Sequence, residues 1–220
     1  MPKSRRKKIL VLLAFIPVLA LGLCSGWIVL DASRKTPSVI EQAHLQYWAP
    51  LRPEDLSPER LHILLAVEDP GFYSHHGIDL TTPGAGYTTI TQGLVKHLYF
   101  EHFRPGLAKW KQSLIALVLD HQVSKQDQLQ LYLNSVYLGN WQGREVHGFD
   151  AAARDYFNKS FAQLTDDEYL SLVAMVVGPN DFHVRNHPDR NADRVARIQR
   201  LLSGACRPAG MADVYYKDCN

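Results

Sequence analysis

The sequence predicts a mostly α domain carried on one N-terminal transmembrane helix. Three observations predict it. Residues 9–30 are an uncharged apolar run. Helix-start signals recur at Ser57-Pro58, at Ser124 with Asp127 and at Thr165 with Glu168. Apolar residues between these signals repeat at three-to-four spacing, with few convincing strands and no internal repeat. Composition agrees. A chain of 220 residues, 46% hydrophobic and 21% charged, is neither disordered, nor collagenous, nor a small disulfide-stapled peptide. The length fits one compact domain.

Taken in order, residues 1–8 are a basic tail with Lys3, Arg5, Arg6, Lys7 and Lys8. Setting those five aside leaves 19 bases against 22 acids, a net −3. The remainder therefore lacks the charge of a nucleic-acid binder. At about 1.5 Å per residue the apolar run reaches about 33 Å, enough to cross a bilayer. Pro17 and Gly22 are tolerable there. The basic tail would stay in the cytoplasm and residues 31–220 outside it. A cleaved signal peptide is the alternative, but the run is long and the small residues near Cys24 make a poor cleavage site.

Residues 31–56, with Pro37, Pro50 and Pro53 and no clear period, read as a linker. The domain is expected over residues 57–205. Ser57 caps a helix whose apolar face is Leu61, Leu64 and Leu65, and Pro70-Gly71 ends it after Glu68-Asp69. A turn-rich stretch spans 81–87. Helical faces follow at Ile90, Leu94, His97 and Leu98, then at Leu107, Trp110, Leu114, Leu117 and Val118. Capping boxes precede QDQLQLYLN and YLSLVAMVV, Asp150 opens an alanine-rich helix, and residues 191–202 form the last one, before Gly204. Residues 206–220 read as a C-terminal tail. Cys206 and Cys219 would close a loop worth about 2–3 kcal/mol in an oxidising compartment, or remain free. No Cys or His cluster beside them suits zinc.

The most conspicuous text is EDPGFYSHHGID, residues 68–79. Two acids at a helix end, followed by aromatics and histidines, suit a cleft in which one carboxylate becomes a general acid or base. Alone it is a weak signal, since an acidic pair beside a turn is more often a solvated face. Further segments follow in order: GYTTITQG at 86–93 with Lys96 and His97, AKWKQ at 108–112, and Lys125 to Asn134 with VYLG directly after. Together these resemble the peptidoglycan glycosyltransferase family (glycosyltransferase family 51), whose order is EDxxFxxHxGxD, GxSTITQQ with Lys-Asn, RKxxE, and a KD-x-L-x-x-YLN segment. FDAAARDYFNKSFAQLTDDEYLSLVAMVVGPNDF is similar to the family's next region. The resemblance covers residues 58–203.

The resemblance implies a lysozyme-like glycosyltransferase domain on the outer face of a bacterial inner membrane, single-pass and periplasmic. It would polymerise polyprenyl-pyrophosphate-linked disaccharide-peptide, in contact with membrane lipids and with other cell-wall synthesis proteins. By similarity Glu68 is the base that deprotonates the acceptor 4-hydroxyl, and Asp69 orients that region. Phe72 and His75 complete the first motif, and His75 is a candidate for orienting the loop. A departing pyrophosphate needs cations and donors. Lys96, Lys109 and Lys111 are candidates for the first role, and Thr88, Thr89, Thr91 and Gln92 for the second. Tyr132 and Asn134 look like structural supports.

Three departures matter. The family's second essential Glu is Gln112, which cannot transfer a proton as a carboxylate does or hold a divalent cation such as Mg or Mn in the same way. The Arg that opens the third motif is Ala108. The stretch from Asp79 to Gly86 is much shorter than the family's. These departures leave two further readings open beside polymerisation: a lipid-linked-sugar-binding or regulatory protein that lost the reaction, and a transferase for a different polyprenyl-linked sugar.

Overall fold

The computed structural model describes residues 3–46 and 50–219, with side chains for all of these except 3–15 and 218. The chain opens with α1, Lys3–Gln46. Along its outer stretch Ile16, Leu23 and Trp27 are 61%, 68% and 66% exposed. Apolar side chains left open on every side need a lipid solvent, and residues 16–46 contain a window long and apolar enough to cross a membrane. The basic residues expected in the cytoplasm have no described side chains.

The expected linker at 31–56 is instead largely helix, because α1 continues through Pro37 to Gln46. Pro37 has no N–H to give the carbonyl of Ser33. Gln122 fills the gap: its Nε2 donates to the Ser33 carbonyl at 3.3 Å and to Ser33 Oγ at 2.9 Å. Ala32, Thr36 and Ala43 are buried. Thr36 Oγ1 bonds the Tyr99 hydroxyl at 2.7 Å, and His44 meets Asp127 at 3.0 Å. The end of α1 is therefore part of the domain rather than a tether to it.

The remaining helices are α2 (Pro58–Glu68), α3 (Ile90–Tyr99), α4 (Leu107–Gln122), α5 (Lys125–Ser135), α6 (Phe149–Phe157), α7 (Asp166–Met175) and α8 (Pro188–Leu202). Ser57, Ser124 and Thr165 cap α2, α5 and α7 by accepting from backbone N–H groups. A box also caps α3, where Thr89 and Gln92 exchange bonds. Between α5 and α6 lies an antiparallel hairpin, β1 (Tyr137–Trp141) with β2 (Arg144–His147). Gln142 and Gly143, both at positive φ, make its turn.

The core gathers Leu64 of α2, Leu94 of α3, Leu119 of α4, Leu129 and Leu133 of α5, Phe149 of α6 and Leu172 to Met175 of α7. Thus the mostly α architecture expected from the helix signals is the one observed. Residues 206–219 are not a free tail. Cys206 is bonded to Cys219, and Tyr216 and Cys219 are buried.

Candidate active site

A cavity of about 500 Å³ opens at the C-terminal end of α2. Glu68 lies on its floor. The segment 84–90, Lys96 and His97 of α3 and Tyr132 of α5 line it, as do Tyr137, residues 176–179, Arg194 of α8 and Val214 with Tyr215. The helix ends here because Pro70 follows Asp69 and cannot continue it.

Glu68 is half-buried, and its carboxyl is pushed up from 4.5 to about 7. Burial is the main cause, the Arg194 guanidinium opposes it, the neighbouring Asp69 adds to it, and the Tyr132 hydroxyl opposes it as a donor. The result is a carboxyl that takes and gives a proton near neutrality. Burial in turn raises the pKa of Tyr132 and Tyr169, so both phenols keep their protons.

Asp69 is fully buried and has a structural task. It accepts from His75 Nε2 at 2.9 Å and from the Ile90 N–H at 2.9 Å, the first turn of α3. Gly77 N–H donates to His75 Nδ1 at 3.1 Å, which leaves the proton on Nε2. Asp69 and His75 thus tie α2, its following loop and α3 together beneath Glu68. Asp79 accepts from Thr81 and Thr82, and although burial opposes it these donors hold its carboxyl down at about 2.

The proposed substrate-binding residues divide. Thr88, Thr89 and Lys96 line the cavity. Lys109 Nζ donates to Thr88 Oγ1 at 2.8 Å, and burial, then Lys96, lowers its pKa to about 8. Two lysines that repel each other beside a hydroxyl form a receptor for a compact anion. The others sit elsewhere. Phe72 is 1% exposed under the Lys125 ammonium, Thr91 is buried against Gln128, and Gln92 bonds Ser113 and caps α3. Lys111 lies over the Phe100 ring. These side chains share motifs with cavity residues, but Thr91 and Gln92 turn to the buried side of α3, Phe72 packs in the turn after α2, and Lys111 is exposed on α4. Tyr132 reaches the cavity, whereas Asn134 clasps the backbone of Leu51 through two bonds of 2.9 and 2.8 Å.

Gln112 also requires correction. It is buried, it donates from Nε2 to the Gln92 carbonyl at 2.5 Å, and it does not line the cavity. It braces α4 against α3 and is not placed as a catalytic group. Among the described residues no group of three or more His, Cys, Asp or Glu could hold a metal ion. The positive charge that acts on Glu68 is the Arg194 guanidinium.

Arg194 was not read from the sequence, and His97, named there only on a helical face and beside the second motif, also lines the cavity. Arg194 is 1% exposed, donates from Nε to the Ala174 carbonyl at 3.1 Å and leaves Nη1 without a partner. In a helix with three other arginines nothing in its spacing marks it. His97 is held down at about 4 by burial and by Lys96 and His147, and stays neutral.

The Transglycosylase family model matches residues 36–203. Penicillin-binding protein 1F of Bacillus subtilis is 31% identical over 88% of this chain and 29% of its own length. Penicillin-binding protein 1B of Escherichia coli is 35% identical over 63% of this chain and 18% of its own. The biosynthetic peptidoglycan transglycosylase of Brucella suis is 33% identical over 87% of this chain and 88% of its own. The chain thus spans under a third of the two penicillin-binding proteins and most of the Brucella protein. With its helical domain, its apolar N-terminal helix and an acid poised in a basic cleft, this chain belongs to the transglycosylase family.

Proposed function

We propose that this chain is a peptidoglycan glycosyltransferase that polymerises lipid-linked disaccharide-peptide in cell-wall synthesis. The observation that carries the reading is Glu68, a carboxyl with affinity for a proton near pH 7, in one cavity with Lys96 and beside the Lys109–Thr88 pair. Glu68 takes the proton of the acceptor 4-hydroxyl. The freed oxygen bonds the donor's anomeric carbon with inversion, and the bond to pyrophosphate breaks. The leaving group carries its electron pair toward Lys96 and Lys109. Arg194 keeps Glu68 ionised often enough to act. The charge of residues 1–8 supports an orientation with the domain on the periplasmic side of the inner membrane.

The full chain in detergent, given lipid-linked disaccharide-peptide, is expected to yield polymer on a gel, and Glu68→Gln to yield none. No polymer beside a working transglycosylase would remove the reading. A second reading, a sugar-lipid-binding protein without turnover, draws on the brace role of Gln112, which leaves the cleft without the family's second acid. It predicts that Glu68→Gln supports normal growth in a strain that needs the gene.

A further inference from the structure

Residues 206–219 carry no motif, yet they reach the cleft. From the end of α8 the Cys206–Cys219 bond turns the segment back on itself, and Arg200 donates to the Cys219 carbonyl at 2.9 Å. The Gly84 and Gly86 N–H groups donate to the Gly210 and Met211 carbonyls at 2.9 and 2.8 Å. The approach is close enough to require both glycines. A Cβ on Gly84 would stand 2.6 Å from Pro208, one on Gly86 would stand 2.7 Å from Val214, and both residues have positive φ. Ala212, Val214 and Tyr215 then face the cavity. Tyr216 is buried. Its hydroxyl donates to the carbonyl of Val67 at 2.8 Å, one residue before Glu68, and its ring lies 5.2 Å from the Arg194 guanidinium.

We propose that the disulfide-closed segment 206–219 is a specificity-determining wall of the cleft: Ala212 and Val214 shape the space for the lipid-linked sugar, and Tyr216 is a positioning residue for Glu68. The proposal rests on the reading of Glu68 as the base. A segment that merely capped α8 would need no bonds to residues 84–86 and none to α2. This one holds three separate parts of the cavity together: the 84–86 strip, the last turn of α2 and the guanidinium on α8.

The wall also determines how dry Glu68 is. The charged and titratable groups facing that carboxyl are Asp69 beside it, Tyr132 on α5, Tyr169 on α7, Arg194 on α8 and Tyr216 on the wall. Loosening the segment removes Tyr216, frees Arg194 from its ring and admits water. Burial is the largest cause of the raised proton affinity, so hydration moves the carboxyl back toward its ordinary value.

The test measures polymerisation by the full chain in detergent from pH 5 to 9, with the disulfide intact and with it reduced, the thiols being counted. Reduction is expected to move the acid limb of kcat/KM down by about half a pH unit or more and to raise KM several-fold, both reversed on reoxidation. Ala212→Trp, at an exposed position on the wall, is expected to raise KM about threefold or more at an unchanged melting temperature. An unmoved acid limb together with unmoved KM values overturns the proposal and leaves the base reading standing. If the oxidised protein makes no polymer, the base reading falls. The wall is then read from binding of dansyl-labelled farnesyl pyrophosphate, whose Kd should rise several-fold on reduction and in Ala212→Trp. An unchanged Kd overturns it.

Discussion

Replacing Glu68 by Gln should stabilise the protein while silencing it. The carboxyl lies at about 7 in the fold and near 4.5 in the unfolded chain. Its proton is therefore held more tightly in the folded state. As pH rises through 4.5 the unfolded chain ionises first, so the stabilising contribution present at low pH is lost and is gone above about 7. The gap corresponds to about 3 kcal/mol at pH 8 and under about 1 kcal/mol at pH 5. Glutamine keeps a similar shape with no charge to desolvate. Glu68→Gln should thus match the wild type closely at pH 5 and exceed it at pH 8 by about 3 kcal/mol, or about 6–12 °C in melting temperature for a domain of this size. Polymerisation should fall by about 10²–10⁴-fold for loss of a general base. Thermal melts of the full chain in detergent at the two pH values read the first effect, and a gel assay the second. Equal melting temperatures at pH 8 would show that the carboxyl is wet and that the reasoning about the cleft is wrong.

Other predictions concern the surrounding groups. Activity should follow a narrow bell, rising as Glu68 ionises near pH 7 and falling as Lys109 loses its charge near pH 8; a broad plateau from 5 to 10 would contradict both assignments. Arg194→Met should move the acid limb up by about one pH unit or more, because the opposing cation is gone, and Arg194→Lys should restore most of it. Lys109→Met should lower kcat/KM by about tenfold or more and remove the alkaline limb, measured with saturating acceptor. Gln112→Glu should destabilise by about 1–3 kcal/mol above pH 5, since its carboxylate would face the Gln92 carbonyl in place of a donor; urea titration reads the loss.

Much of the helical frame was legible because caps are local. Ser57, Ser124 and Thr165 each satisfy N–H groups within three residues, and that information is written in adjacent letters. The acidic motif was legible as a unit, but not the division of labour within it. Glu68 faces the cavity while Asp69 is buried against His75 and Ile90, a difference set by one step around the end of α2. Pro37 misled, because its freed carbonyl is satisfied by Gln122, far along the chain. The β1–β2 hairpin was missed, its Gly139 and Gly143 giving no alternating pattern. Arg194 and Tyr216 were missed for a common reason: each acts through contacts with other elements, which no spacing within its own segment reveals.

The unbroken course of α1 has a consequence for how the domain would stand on a membrane. A mast seated in the body of the domain, rather than a rope tied to it, sets the cleft at one height above the lipid. The contacts of Ser33, Thr36 and His44 tie the tilt of the domain to that of the mast. Under the function proposed above, each lipid-borne sugar would meet the cleft at the same elevation.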